Sequence, residues 1–200
     1  VHIVSVGGEC KELLLVLAGK VSVSSVDSGS LENGVRVYCV DIMPKAEADG
    51  EYKRSEFCYT IGGAADNIPT PNSLNSQLST LNSQFLFEPN ASIMKAGCFA
   101  ELSQAYGVEA IGPNSHLFVS SGRVEQFPGR EFAIEAVCTL NKRQLKQTLG
   151  TLKQANIAVR NFPMSVAELR KRLKLRDGGD TYIFATTTRE GEHVLIICRK

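Results

Sequence analysis

From Phe132 onward the apolar residues switch repeatedly between a period of two and a helical period, and a stop signal marks each switch. Phe132, Ile134, Ala136 and Cys138 share one face of a strand expected over residues 132–140. Asn141 then caps a helix running to about residue 155, whose buried stripe is Leu145, Leu149 and Leu152. Residues 157–162 form a strand stopped by Pro163. Ser165 and Glu168 stand at capping-box spacing and open a second helix, with Val166, Leu169 and Leu173 as its apolar stripe. Asp177-Gly178-Gly179-Asp180 ends it. Residues 181–188 and 192–199 are two strands flanking a turn at Arg189-Glu190-Gly191, which is the pattern of a hairpin. Strand, helix, strand, helix, strand, strand is the order of a compact α+β unit.

The first third reads differently. Residues 1–6 have the pattern of a buried strand from the first residue, which predicts further chain upstream. After Gly7-Gly8, the positions of Cys10, Leu13, Leu14 and Leu17 predict a helix over residues 9–17. Residues 35–42 are continuously apolar and rich in β-branched side chains, as buried strands are. Residues 56–61 form a third strand ended by Gly62-Gly63, and the charged stretch 44–54 is a loop. This order predicts the end of a doubly wound α/β sheet with an antiparallel last strand and further sheet partners upstream. Residues 64–84, rich in Ser, Asn and Pro, read as a linker or insertion. A short strand at 85–88 follows, then a helix from Ala91 to about Tyr106, capped by Asn90 and Gly107, with Ile93, Ala96, Gly97 and Ala100 as a narrow face. A strand over 108–119 is broken at Gly112-Pro113, and 124–130 is a turn region around Phe127-Pro128-Gly129.

Several function classes are excluded by what these residues are. No apolar run approaches the roughly 20 residues of a membrane span, and nothing has the pattern of a signal peptide. The cysteines, Cys10, Cys39, Cys58, Cys98, Cys138 and Cys198, form no C-x-x-C pair and mostly sit in apolar runs. They read as buried free thiols in a reducing cytoplasm. With His2, His116 and His193 scattered, no zinc site is expected. There is no G-x-S-x-G element and no P-loop, and Gly-Gly-Glu-Cys-Lys-Glu after the first strand lacks the G-x-G-x-x-G spacing, so Gly7-Gly8 reads as a structural turn. No catalytic constellation, no cofactor-binding residue and no metal site is expected in this chain.

Charge supplies the one functional signal of substance. The net charge of +1 conceals a net of −7 over residues 1–140 and +8 over residues 141–200. Between Asn141 and Arg176 there are ten basic residues, Lys142, Arg143, Lys146, Lys153, Arg160, Arg170, Lys171, Arg172, Lys174 and Arg176, against one acidic residue, Glu168. Helical geometry aligns Lys142, Lys146 and Lys153 beside the leucines of the first C-terminal helix, and the second crowds five cations into one and a half turns. Forked and mobile cations spaced along a surface are what phosphate contacts require. The plain alternative is a solvated face, with Lys174 and Arg176 complementing a helix C-terminus. Phe162 and Tyr182 read as core residues, with base stacking as the alternative. The polar Pro-Asn corners Pro89-Asn90 and Pro113-Asn114-Ser115-His116 read as a cap and a strand bend, or else place Asn90, Lys95 and His116 on a substrate-facing surface.

Four stretches carry a family resemblance: Phe87-Glu88-Pro89-Asn90-Ala91-Ser92-Ile93-Met94-Lys95-Ala96-Gly97, Pro113-Asn114-Ser115-His116-Leu117, Phe127-Pro128-Gly129-Arg130, and above all the run from Val159 through Arg160-Asn161-Phe162-Pro163-Met164 to Leu173. They resemble the C-terminal half of bacterial class I SAM-dependent methyltransferase-like proteins, in which a Rossmann-like domain is followed by ferredoxin-like and THUMP-like domains. The resemblance covers nearly all of residues 85–200 and, more loosely, 1–62. It implies a remnant of a Rossmann-like sheet over 1–63, a linker over 64–84, a ferredoxin-like region over 85–131 and a THUMP-like domain over 132–200. It further implies S-adenosylmethionine as cofactor of the parent protein, bound upstream of Val1 and by no residue of this chain. Structured RNA, tRNA or rRNA, is the implied partner beside the upstream methyltransferase domain. Two readings follow: an RNA-binding region serving a methyltransferase, or an assembly module whose basic helical face docks on an acidic partner.

Overall fold

A computed structural model describes residues 1–14, 35–44, 52–61 and 83–200. Contacts divide the chain into two compact units, Val1–Asn75 with Asn90–Glu101, and Ser76–Pro89 with Leu102–Lys200. The loop expected over 44–54 and the linker over 64–84 lie largely outside the described residues, as does Leu17.

In the first unit, strands β1 (His2–Val6), β2 (Glu9–Leu14), β3 (Val35–Pro44) and β4 (Tyr52–Ile61) form one sheet in the order β2-β1-β3-β4. β1 runs parallel to β3, and β4 pairs antiparallel with β3 from Val35↔Ile61 to Pro44↔Tyr52. The helix expected over residues 9–17 is instead strand through Leu14, paired antiparallel with β1. Val6 stands opposite Glu9, so Gly7-Gly8 is a two-residue hairpin loop, with φ of +62° and +83°. Positive φ at both central positions matches the twist of the flanking strands and comes easily to Gly-Gly. A helical stripe of nine residues is marginal alone, and the hairpin register overrides it. Helix α1 (Ala91–Ala96) packs on β1, β2 and β3. The single helix expected from Ala91 to Tyr106 is two, because Gly97 turns left-handed at φ +71° and ends α1; α2 (Phe99–Tyr106) follows. The core holds Ile3, Val37, Cys39, Val40, Phe57, Ile93 and Cys98. Of the cysteines whose burial is described, Cys39, Cys98, Cys138 and Cys198 are buried, whereas Cys58 is exposed on β4.

The second unit is built on one seven-stranded sheet. β5 (Phe85–Pro89), β6 (Glu109–Ala110), β7 (Phe118–Ser120), β8 (Gly129–Thr139), β9 (Asn156–Arg160), β10 (Thr181–Thr187) and β11 (His193–Arg199) lie in the order β6-β7-β5-β8-β11-β10-β9. Helix α3 (Lys142–Leu149) links β8 to β9, and α4 (Val166–Leu173) links β9 to its parallel neighbour β10. Ile183, Ala185, Leu195 and Ile197 point to the helix side, with Leu149, Leu169 and Leu175. Phe184, Val194, Ile196 and Cys198 point to the other side, with Leu86, Phe132, Ile111, Leu117 and Val119. A sheet covered on both faces explains why Val194–Cys198 is one continuous apolar run. Burial pushes the Cys198 thiol up to about 12, with Glu135 adding to it, so this sulfur stays a protonated core group. Phe162 packs with the helix-side core and Tyr182 packs on Phe132 at 4.9 Å between ring centres, so both serve as core residues.

Candidate nucleic-acid interface

The two helices owe their positions to strong local signals. The Asn141 side chain accepts a hydrogen bond from the Arg143 amide at 2.8 Å, opening α3. At α4 the capping box is complete: the Ser165 hydroxyl accepts from the Glu168 amide at 3.3 Å, and the Glu168 carboxylate accepts from the Ser165 amide at 2.8 Å. The Ser165 amide and the Ser165 hydroxyl, which donates at 2.7 Å, together hold the Glu168 carboxyl below its ordinary range. Leu149 and Leu169 are buried under their helices. A groove of about 520 Å³ lies between α3 and α4. Its floor is Leu145, Leu149, Leu152 and Leu173, and its rim is Lys142, Lys146, Arg172 and Lys174.

Lys142, Arg143, Lys146, Lys153, Lys171, Arg172, Lys174 and Arg176 are all exposed. Among the described residues of this unit, no carboxylate lies within ion-pairing distance of any of them. Lys153 does not continue a helical stripe, because α3 ends at Leu149. It is placed beside Arg176 instead: the Arg176 amide donates to the Lys153 carbonyl at 2.9 Å, and the Ala155 amide donates to the Arg176 carbonyl at 3.0 Å. Lys174 turns left-handed at the end of α4, φ +57°, with its amide directed to the carbonyls of Arg170 and Lys171.

Arg172 donates to the Met164 sulfur at 3.9 Å, and two of the ten cations have carboxylate partners. Arg170 donates to the Ala155 carbonyl at 3.1 Å and to Asp177 at 2.6 Å, with its side chain 24% exposed, so it braces α4 on the preceding loop. Arg160 donates from Nη2 to Glu88 at 2.8 Å. Glu88 is buried, and it also accepts from Nε of Arg130 at 2.9 Å and from Nη2 of the same arginine. Glu88 lies on β5, four places from β9 in sheet order, so the sheet must curl back on itself for this contact to form. The loop before β7 joins the same end: Asn161 Nδ2 donates to the Pro113 carbonyl at 2.8 Å, and the Thr187 hydroxyl donates to the Asn161 carbonyl at 2.5 Å. Asn114, His116 and Asn161 all have positive φ, +57°, +53° and +50°. Burial and the neighbouring Arg160 hold the His116 imidazole below its ordinary range.

The candidate substrate-facing residues fall in different units. His116 belongs to the second, while Asn90 and exposed Lys95 belong to the first. Asn90 occupies the N-cap position of α1 without capping it, and its side chain donates to Ser55 at 3.1 Å. Glu88 and Arg130 lie in stretches that carry the family resemblance, but the sequence assigns them no site role. Their signals were a lone carboxylate in the apolar run Phe85-Leu86-Phe87 and an arginine directly after the Pro128-Gly129 turn.

Residues 85–128 match the ferredoxin-like domain family, and residues 129–200 match the THUMP domain-like family. A crystal structure described as that of a "putative methyltransferase" from Porphyromonas gingivalis W83 is similar over 100% of this chain, at 30% identity and a TM-score of 0.71. The present chain spans 45% of that protein. No curated protein matches the chain significantly.

Proposed function

We propose that this chain, which carries a ferredoxin-like domain followed by a THUMP domain-like region, is the RNA-binding part of a SAM-dependent RNA methyltransferase. In this reading it holds structured tRNA or rRNA for a catalytic domain elsewhere in a longer cytoplasmic protein. The observation that carries it is the α3–α4 groove, whose rim cations Lys142, Lys146, Arg172 and Lys174 stand exposed above a leucine floor. Unpaired cations spaced along a surface gain from the release of counterions condensed on a phosphate backbone. The description of the Porphyromonas gingivalis protein supports the methyl-transfer part. No described helix is long and apolar enough to cross a membrane.

Gly7-Gly8 does not have the geometry of a glycine-rich cofactor turn. The glycine pair after β1 closes a hairpin between two antiparallel strands, and it does not turn a strand into a helix N-terminus. The cofactor therefore belongs to the proposal for the longer protein, and no step of the chemistry is assigned to this chain.

The test is equilibrium binding of the full chain to a structured RNA across a salt series. Affinity should fall steeply with salt. K142Q/K146Q/R172Q/K174Q should weaken binding across RNA sequences and reduce the salt slope by about 1 for each phosphate that is no longer neutralised. An unchanged slope in that variant refutes the reading. The leucine floor favours a second reading, an acidic amphipathic helix of a partner protein seated in the groove. Its signature is a negative heat-capacity change with a shallow salt dependence.

A further inference from the structure

Away from the α3–α4 groove, the end of the curled sheet gathers a second set of cations, arranged on different principles. Glu88 is 5% exposed and sits between two guanidinium groups. One of its oxygens takes Nε and Nη2 of Arg130, and the other takes Nη2 of Arg160. Gly129 makes this possible, because a Cβ there would run into the Glu88 carbonyl oxygen across the β5–β8 pair. The Arg130 guanidinium lies 5.5 Å from the centre of the buried Phe132 ring, which fixes its plane from below.

One carboxylate closes a sheet with one arginine. Here it carries two, so the cluster holds an excess positive charge against an apolar wall. Its donors are also not used up. Among the described residues Nη1 of Arg130 makes no hydrogen bond, and that side chain is 51% exposed. Nη1 of Arg160 has only a long contact of 3.4 Å to the Val159 carbonyl. Among the described residues, Nε of Arg160 is buried without a partner. On the neighbouring strand, in register with Arg160, the fully buried Thr186 hydroxyl is also without a partner. A buried donor without an acceptor is costly, and Glu88 already accepts from three N–H groups.

Donors of this kind suit an acceptor with several oxygens and negative charge. We propose that Arg130 and Arg160, oriented by Glu88 and flanked by Thr186 and the Asn114–His116 and Asn161 loops, form a binding site for a phosphate group. Two preset guanidinium forks converging from different strands suit a tetrahedral oxyanion, whose oxygens take paired N–H bonds. The phosphate comes either from the end of an RNA strand or from a free small molecule. The site stands whether or not the groove binds RNA.

Titration of the full chain with inorganic phosphate, followed through the Nε–Hε NMR signals of its arginines, tests this without any variant. The signals of Arg130 and Arg160 should shift saturably while that of Arg172 stays in place. R130Q and R130K should each weaken phosphate at least tenfold, the lysine showing that the fork and not the charge alone is needed; R199Q should bind as wild type. Paired oligoribonucleotides of one sequence, with and without a 5′-phosphate, separate the two sources. A tenfold preference for the phosphorylated strand assigns the site to an RNA end, and equal binding of the two strands assigns it to a free phosphate. If phosphate moves Arg130 and Arg160 no more than Arg172, the site does not exist, whatever the groove does with RNA.

Discussion

The two cationic regions of the second unit are made of the same residue types and behave oppositely. Around the α3–α4 groove, lysines and arginines stand in solvent on an apolar floor, and their positions come from helix caps beneath them. Around Glu88, exposed Arg130 and half-buried Arg160 take their positions from the carboxylate they share. The first arrangement tolerates many partner geometries, because each cation moves independently. The second fixes both planes at once. The contrast teaches that positive charge alone does not define a site; what holds the charge in place decides what it can recognise.

That contrast breaks if Glu88 is not a structural keystone. E88Q removes the charge from a buried group and leaves two arginines facing an amide. Removing one partner of a fully buried pair costs ~3–5 kcal/mol, and the exposure of both arginines reduces the expectation here to about 2 kcal/mol. Urea denaturation should show that loss as a lowered midpoint with the m-value unchanged. A loss below about 0.5 kcal/mol would place Glu88 with ordinary surface ion pairs.

The next largest effect concerns the helix that carries the groove's second rim. S165A removes the cap of α4 and should cost about 1 kcal/mol. It should also weaken RNA binding modestly, because Arg172 and Lys174 depend on the last turn of that helix. Acid should act on the same cap. The Glu168 carboxyl is held below its ordinary range by its bonds to Ser165, so its stabilising contribution is complete above the ordinary carboxylate range. It is lost as pH falls through the lowered value. The stability gap between wild type and E168Q should therefore be full near neutrality and close in acid. A gap that widens as pH falls contradicts the cap as drawn.

How far these regions were legible in the sequence follows from the range of the signals that build them. The groove was largely readable, since Asn141, Ser165 with Glu168 and the leucine stripes act within one or two turns. Lys153 was misplaced because Gly150 ends α3 early, and nothing local distinguishes that glycine from one inside a helix. Arg170 looked free because its partner Asp177 lies beyond the helix end, in the turn. The Glu88 cluster was not readable. Its arginines are 42 and 72 residues away, and only the curl of the sheet brings them together. In the first unit the Gly7-Gly8 loop was seen as a turn, but the hairpin it specifies was not, because the leucine spacing after it also fits a helix.

The smallest stability effect is expected where the functional effect is large. K142Q/K146Q/R172Q/K174Q changes four exposed side chains without an internal carboxylate partner, and each such change is usually within about 0.5 kcal/mol. Removing crowded like charges offsets part of even that loss, so the variant should melt within a few degrees of wild type. RNA affinity should nevertheless fall, and most at low salt, where counterion release is largest. R130Q should behave in the reverse way, with a clear loss of stability because its guanidinium braces Glu88, and with little change in the salt slope for an RNA that carries no terminal phosphate. Measuring melting temperature and salt slope together on the two variants therefore separates cations anchored in the fold from cations that stand in solvent at the groove. A quadruple groove variant that loses stability as R130Q does would show that the two regions are mechanically one.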